Sequence, residues 1–203
     1  MKRGQLICIE GLDKSGKTTQ SLLLVEALKS KSFDAVYTTE PSNGEIGRFI
    51  KQYVLGRHQR IPASIEALLF AADRIDHVER EIKPMLNEGK IVVSDRYVYS
   101  SLAYQGAAGL DIRWIMEINR MVPEPDLALY IDVPVEVIME RIQKKRERSV
   151  MEFQEIQMKV RDVYMKLVRE GKLLLVNGNR PILEVSGDIQ RIVIERLKQT
   201  NLL

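Results

Sequence analysis

The sequence predicts an α/β fold of three layers, in which helices cover both faces of a parallel sheet. Short apolar runs alternate with longer amphipathic segments along all 203 residues. The segments between successive runs are long enough for the right-handed crossovers that join parallel strands. No internal repeat or long linker interrupts this alternation. Residues 1–203 are therefore predicted to form a single domain.

Five runs are predicted to be strands because they are short, apolar and bounded by charged or turn residues. They are Gln5–Glu10, Phe33–Thr39, Ile91–Ser94, Leu127–Ile131 and Lys172–Val176. The helices predicted around them are Thr19–Ser30, Glu45–Leu55, Ala63–Asn87, Asp111–Met121, a helix that starts at Pro134, Met151–Glu170 and Pro181–Lys198.

Proline and glycine residues set several of these helix boundaries. Pro62 precedes the longest helix, where its missing N–H costs nothing, and Gly89 ends that helix. Pro123 breaks the fourth helix, and Pro134 begins the fifth. The polar stretch 97–109 is assigned neither helix nor strand.

The segment after the first strand fits the phosphate-binding pattern G-x-x-x-x-G-K-[ST], with an amphipathic helix after it. Its glycines let the backbone turn so that N–H groups point inward at a phosphate, beside the positive end of the helix dipole. Lys17 supplies a cation for the β- and γ-phosphates, and the Thr18 hydroxyl is placed to bind Mg²⁺. The chain is predicted to bind a nucleoside triphosphate through Gly11, Leu12, Asp13, Lys14, Ser15, Gly16, Lys17 and Thr18.

Composition narrows the class of function. The net charge is +3 although 29% of the residues are charged, a balance that does not favour nucleic acid or membrane binding. The lone Cys8 excludes an internal disulfide and fits a reducing compartment. Glu10 and Asp13 cut short the first apolar stretch, so neither a cleavable signal nor a membrane span is expected. A cytoplasmic protein without nucleic-acid or membrane partners is predicted.

Charged residues follow four of the predicted strands. They are Asp13, Lys17, Glu40, Asp95, Arg96 and Asp132. Ligands of open parallel sheets collect at the carboxyl ends of the strands, so these residues are predicted to meet at one rim. Both charge signs suit a site for Mg²⁺ and several phosphates. For any one residue, the polarity of loops explains the position equally well. For Asp95 and Arg96 the functional explanation is favoured, with Asp95 at the metal.

Phe70 and Arg74 are four residues apart on the longest helix, so they share one face. An aromatic plane beside a guanidinium group suits a nucleoside monophosphate, whose base can stack and whose phosphate can pair. On spacing alone, core packing of Phe70 and a surface pair from Arg74 to Glu66 or Glu81 are favoured.

Several motifs together resemble the thymidylate kinases, in that family's order and spacing. They are Gly11-Leu-Asp-Lys-Ser-Gly-Lys-Thr-Thr-Gln20, Leu69-Phe-Ala-Ala-Asp-Arg74, Asp95-Arg-Tyr97, Ser100-Ser-Leu-Ala-Tyr-Gln-Gly106 and Pro125-Asp-Leu127. The resemblance implies a three-layer P-loop NTPase fold with a five-stranded parallel sheet, and a homodimer. It also implies Mg²⁺-dependent phosphoryl transfer from ATP to dTMP, the small-molecule substrates.

The same resemblance implies roles for single residues. Phe70 would stack on thymine, while Arg74 and Arg96 would hold the acceptor phosphate or the base edge. Asp13 would reach the sugar 3′-hydroxyl, Tyr104 would crowd a 2′-hydroxyl, and Gln105 would line the same pocket. Glu40 would lie near the acceptor. Thr39 stands where the family often has an arginine beside the Glu-Pro pair, and Arg48 is the candidate substitute.

The basic segment 141–148 would belong to a lid over ATP, at about 141–152, with Arg141 at the nucleotide. The family places its transition-state cation in the P-loop or in this lid, so Lys14, Arg146 and Arg148 all stay candidates. His58 and His77 fall in predicted helices away from the strand ends and are expected to be surface or packing residues.

Two other functions stay open. One is a kinase of another nucleotide or nucleoside, and the other is a P-loop ATPase that acts as a switch. The small size of the chain argues against the switch. So does the second cationic site, Arg74 and Arg96, which is expected opposite the P-loop.

Overall fold

A single parallel sheet of five strands organises the chain. The structure is a computed structural model that describes residues 3–55, 61–142 and 147–199, the side chains of 147–153 excepted. The strands are β1 (Gln5–Gly11), β2 (Ala35–Thr39), β3 (Ile91–Asp95), β4 (Leu127–Asp132) and β5 (Leu174–Asn177). Their order across the sheet is β2-β3-β1-β4-β5, and all pairs are parallel. The predicted fold class is confirmed.

Helices connect the strands. They are α1 (Lys17–Ser30), α2 (Glu45–Phe49), α3 (Ala63–His77), α4 (Lys83–Asn87), α5 (Val98–Ala107), α6 (Ile112–Ile118), α7 (Val135–Arg141), α8 (Glu147–Arg169) and α9 (Ile182–Gln199). π-Helical segments extend α2 over Ile50–Val54 and join α3 to α4 over Val78–Ile82. The longest predicted helix, Ala63–Asn87, therefore exists, but its middle is π-helical over Val78–Ile82.

The core surrounds β1, which lies between β3 and β4. Every residue of β1 and β3 is buried. Such strands are covered on both faces, which explains why they occur in the sequence as continuous apolar runs rather than alternating ones. Parallel pairing brings the last residues of β1, β2 and β3 to one edge, where Arg96 N donates to Ile9 O at 3.0 Å and Glu40 N donates to Asp95 O at 3.1 Å.

Helix α5 was not predicted, because the stretch 97–109 was assigned no element. Its residues are buried on most sides, against α3 and α8. Ser100, Ser101 and Gln105 are among its buried residues, so its sequence lacks the apolar stripe with helical period that reveals a surface helix. This helix carries Ser100, Tyr104 and Gln105 towards the carboxyl edge of the sheet.

Candidate active site

The loop between β1 and α1 has the backbone of a phosphate-binding loop. Gly16 has a φ of 97°, in the left-handed region that favours glycine. A Cβ atom on Gly11 would lie 2.6 Å from Ser15 Oγ and 2.9 Å from Ile131 O, so a larger residue does not fit. Gly11, Leu12 and Ser15 are buried within the loop, and Lys14 also has a left-handed φ of 64°.

Lys17 begins α1 and is only 6% exposed. Its Nζ donates to Leu12 O at 2.7 Å. Burial, together with the positive charge of Arg96, lowers the pKa of Lys17 to about 7, although Asp13 and Asp95 act in the opposite direction. Further negative charge beside the amine would therefore favour its charged form.

Thr18 and Asp95 form an oxygen pair beside Lys17. Thr18 Oγ1 donates to Asp95 Oδ2 at 2.5 Å. Asp95 Oδ1 is buried and has no hydrogen-bond partner among the described residues. The described residues contain no group of three or more histidine, cysteine or acidic side chains that could enclose a metal ion. A metal held here would therefore need oxygen ligands from a bound nucleotide or from water.

Arg96, directly after β3, connects three elements. It has a left-handed φ of 75°, a conformation that is rare for a residue with a long side chain. Its Nη1 donates to Ser100 Oγ at 2.9 Å, and its Nη2 donates to Asp13 Oδ1 and, at 3.3 Å, to Tyr104 OH. The guanidinium carbon also lies 5.0 Å from the centre of the Tyr104 ring, within the range of a cation–π contact.

Asp13 completes this cluster from the P-loop side. Its backbone N–H donates to Tyr104 OH at 3.1 Å. Desolvation raises the pKa of the Asp13 carboxyl group, but the charges of Arg96 and Lys17 outweigh that effect and lower it. The cluster thus keeps an ionised carboxylate against an arginine at the edge of the sheet.

Two adjacent pockets meet at this cluster. The P-loop pocket is lined by Asp13, Lys14, Gly16, Lys17, Thr18, Thr19, Thr39, Asp95, Arg96 and Ile142. The second pocket, called the acceptor pocket below, is lined by Asp13, Pro41, Leu55, Glu66, Phe70, Arg96, Ser100, Ser101, Tyr104 and Gln105. Both linings include Asp13 and Arg96. Two ligands can therefore occupy neighbouring pockets with their charged ends at the same arginine.

Comparison with known proteins agrees with this arrangement. A family model described as thymidylate kinase matches residues 9–189. The chain belongs to the thymidylate kinase family. A probable thymidylate kinase of Pyrococcus horikoshii is 42% identical to it over 203 residues, which cover 96% of this chain and 98% of that relative. One of Thermococcus onnurineus is 44% identical over 200 residues, which cover 94% and 98%.

Arg74, expected from the family resemblance at the acceptor pocket, lies in a buried network instead. It is 1% exposed, and its Nε donates to Glu40 Oε2 at 2.7 Å. Its Nη1 donates to Asn119 Oδ1 at 2.6 Å and its Nη2 to Tyr97 O at 3.2 Å. The structure thus brings neither Arg74 nor Glu40 to the lining of the acceptor pocket. The surface pair with Glu66 or Glu81 is wrong too, because the partner is the buried Glu40.

His77 belongs to the same network. Its Nδ1 lies 3.3 Å from Glu40 Oε1, and its Nε2 lies 2.7 Å from Thr38 Oγ1. The network therefore joins α3 to the end of β2, which agrees with a packing role for His77. Arg48 is exposed and donates to Asn43 O at 2.8 Å, so the structure does not bring it to either pocket.

Sequence reasoning missed Glu10, the last residue before Gly11. Its carboxylate is fully buried and accepts hydrogen bonds from Tyr97 N at 2.9 Å, Ser100 Oγ at 2.6 Å and Tyr164 OH at 3.0 Å. Burial raises the pKa of Glu10 despite these donors. Because Ser100 also accepts from Arg96, this buried carboxylate supports the arginine from behind. A lone carboxylate inside an apolar run was the sequence signal for it.

The lid candidates are described only in part. Arg141, the last residue of α7, donates from Nη1 to Lys14 O at 3.0 Å and so lies against the P-loop. Arg146 lies outside the described residues, and so does the Arg148 side chain. Asp132 lines neither pocket. It accepts two hydrogen bonds of 2.8 Å from Arg161, which join α8 to β4.

Proposed function

We propose that this chain transfers the γ-phosphoryl group of ATP to thymidine 5′-monophosphate (dTMP), which gives ADP and dTDP. The observation that carries the proposal is the pair of pockets that share Asp13 and Arg96. One contains a P-loop, and the other contains an aromatic ring and a buried amide. The relatives named probable thymidylate kinase, with which the chain aligns over nearly its whole length, support this choice of acceptor.

The reaction requires that the phosphate charges are neutralised and that the two phosphates are positioned in line, rather than a proton transfer. An oxygen of the dTMP phosphate attacks the γ-phosphorus in line, and the bond from the γ-phosphorus to the bridging oxygen of ADP breaks. The attacking oxygen is already anionic near neutral pH, so no strong base is needed. Lys17 and the N–H groups of the P-loop would hold the β- and γ-phosphates, and Arg96 would hold the acceptor phosphate.

The acceptor pocket offers a site for each part of dTMP. Phe70 would stack on the base, and Gln105 would contact its edge. Asp13 would accept a hydrogen bond from the 3′-hydroxyl, and the Tyr104 ring would occupy the space that a 2′-hydroxyl needs. Arg74 and Glu40 would act indirectly, since their mutual bond joins α3 to the end of β2, directly before Pro41.

The Thr18 and Asp95 pair fits Mg²⁺. The hydroxyl and the carboxylate are oxygen donors, and Asp95 Oδ1 is buried without a partner among the described residues. Mg²⁺ is typically held by one or two such protein groups, with phosphate oxygens and water completing its octahedral coordination. Bound there, the ion would neutralise charge on the β- and γ-phosphates.

The transition-state cation is proposed among Lys14, Arg146 and Arg148, with Arg141 at the nucleotide. Replacing each candidate with alanine in turn identifies it, because loss of such a cation slows turnover by roughly 10³-fold or more. A variant whose turnover is barely changed removes that residue from the role.

We also propose a single kinase domain over 1–203, with a lid at about 141–152, that acts as a homodimer in the cytoplasm. Exposed apolar side chains on α2, on the π-helical segment after it and on α3 support a subunit interface. They are Phe49, Tyr53, Ile65 and Leu68, each 45–50% exposed. Equilibrium sedimentation measures the subunit number directly.

No helix in the described part of the chain is long and apolar enough to cross a membrane.

An acceptor panel tests the function. ADP formation from ATP and Mg²⁺ is measured with dTMP, dUMP, dCMP, dGMP and AMP, and without any acceptor. The proposal predicts the highest kcat/KM with dTMP and little ADP without an acceptor. Preference for another nucleotide would assign a different kinase, and turnover that ignores the acceptor would indicate an ATPase switch.

A further inference from the structure

Glu66, one member of a buried pair in the acceptor pocket, has no role in the chemistry described so far. Gln105 Nε2, on α5, donates to Glu66 Oε1, on α3, at 3.0 Å. Glu66 is 8% exposed and Gln105 is 3% exposed, and both line the pocket. Gln105 Oε1 is buried and has no partner among the described residues. The Glu66 carboxyl group thus accepts from the NH₂ half of a buried amide, and the other half is left for a ligand.

The chemistry of this pair decides which half is left. A carboxamide carries a donor and an acceptor and can turn either way, whereas an ionised carboxylate only accepts. Glu66 therefore holds the Gln105 NH₂ group towards itself and leaves the Oε1 atom as the atom without a partner. A buried acceptor that stays unpaired costs free energy, so this pocket favours a ligand that brings a donor.

The pair lies where the base would bind. The two pockets meet at Asp13 and Arg96, which places the acceptor phosphate there. Among the described residues that line the pockets, Glu66, Phe70 and Gln105 belong to the acceptor pocket alone. A nucleoside monophosphate would bind Arg96 with its phosphate and stack its base on Phe70. The edge of that base would then face Gln105.

We propose that Glu66 is a specificity-determining positioning residue, which fixes the hydrogen-bond polarity of the Gln105 amide. This inference rests on the proposed function, because it assumes a pyrimidine in the pocket. Thymine and uracil carry a hydrogen on ring nitrogen N3 and can donate it to Gln105 Oε1. Cytosine carries a lone pair there, so two acceptors would face each other. Glu66 therefore selects against cytosine through the orientation of the Gln105 amide.

The test compares dTMP with 5-methyl-dCMP, which keeps the methyl group and changes the polarity of the base edge. The kcat/KM ratio for the two acceptors is measured for the full-length chain and for Glu66→Gln. Glutamine at this position can donate or accept, so Gln105 becomes free to turn. The ratio is expected to fall by about tenfold or more. The ratio of dTMP to dUMP stays unchanged, because both bases have a hydrogen on N3.

The matched control is Glu79→Gln, the same substitution at an exposed position just beyond α3, and it keeps the wild-type ratio. A ratio for Glu66→Gln within about twofold of wild type overturns the proposal. Wild-type protein that does not phosphorylate dTMP instead rejects the proposed function, so the two failures are distinguishable.

Gln105→Met provides a second test, and the first part of it does not depend on the folding of a Glu66 variant. Without the amide, selectivity against 5-methyl-dCMP also falls, and adding Glu66→Gln then changes it by less than about twofold, because Glu66 acts through Gln105. Full selectivity in Gln105→Met, or an undiminished effect of Glu66→Gln in that background, contradicts the proposal.

Discussion

The burial of Lys17 predicts that ATP binding takes up a proton. In the ligand-free protein, burial and the charge of Arg96 lower the pKa of Lys17 to about 7. At pH 8 such a group is protonated in only about a tenth of the molecules. The triphosphate adds several negative charges beside the amine and favours the ammonium form, so the pKa of Lys17 returns towards its ordinary value of 10.5.

The magnitude follows from these two values. Nearly every bound lysine is protonated, so binding takes up about 0.9 proton at pH 8 and about 0.1 proton at pH 6. The sign of the pH dependence is set by linkage: the complex holds more protons than the free protein, so affinity falls as pH rises. The fall approaches tenfold per pH unit between the two pKa values.

Isothermal titration calorimetry measures this uptake. Mg²⁺·ATP is titrated into the protein without an acceptor, in two buffers that differ in ionisation enthalpy, at pH 6 and pH 8. At pH 8 the nucleotide itself is already deprotonated. The control is Lys17→Arg, whose guanidinium group stays charged and which should take up almost no proton. Uptake below about 0.2 proton at pH 8 in the wild type would refute the reasoning.

Three further predictions concern two residues of the acceptor pocket, Arg96 and Phe70, and the buried Arg74. Arg96→Ala should lower kcat/KM for dTMP by roughly 10²- to 10³-fold, because it removes a donor to the acceptor phosphate; equal activity in a steady-state assay would exclude that role. Phe70→Ala should raise KM for dTMP, since stacking on a base is worth about 1–3 kcal/mol, or roughly 5- to 150-fold; an unchanged KM with a lower kcat would argue against stacking. Arg74→Met leaves Glu40 buried without its main partner and should lower the free energy of unfolding by about 3–5 kcal/mol. In denaturant unfolding, Glu40→Gln added to Arg74→Met should recover part of that loss, and no recovery would mean that the pair is not coupled.

The sequence was sufficient for the sheet and for the phosphate-binding loop. Each of the five strands lies within a short apolar run of the sequence, although only β1 and β3 are buried along their whole length. The loop after β1 follows a sequence pattern whose geometry is local. The backbone of the P-loop needs glycine at positions 11 and 16 for reasons of space and φ, so the motif is visible without any tertiary contact.

Long-range contacts could not be predicted in the same way. Arg74 was expected to hold substrate, but its buried partners Glu40 and Asn119 lie 34 and 45 residues away along the chain. Glu10 and Tyr164 are separated by 154 residues, and no local pattern relates them. Helix α5 was missed because its buried residues include Ser100, Ser101 and Gln105, so its sequence shows no apolar stripe. In each case a contact between distant segments determines what the residue does.

The central claim is that two anionic ligands meet at Arg96 and Asp13, one from each pocket. The most direct test is the binding of a compound in which adenosine and thymidine are joined, 5′ to 5′, through five phosphates. If the pockets are adjacent, this compound competes with both ATP and dTMP and binds at least roughly 10²-fold more tightly than either alone. Competition with only one nucleotide, at the affinity of that nucleotide, would contradict the account.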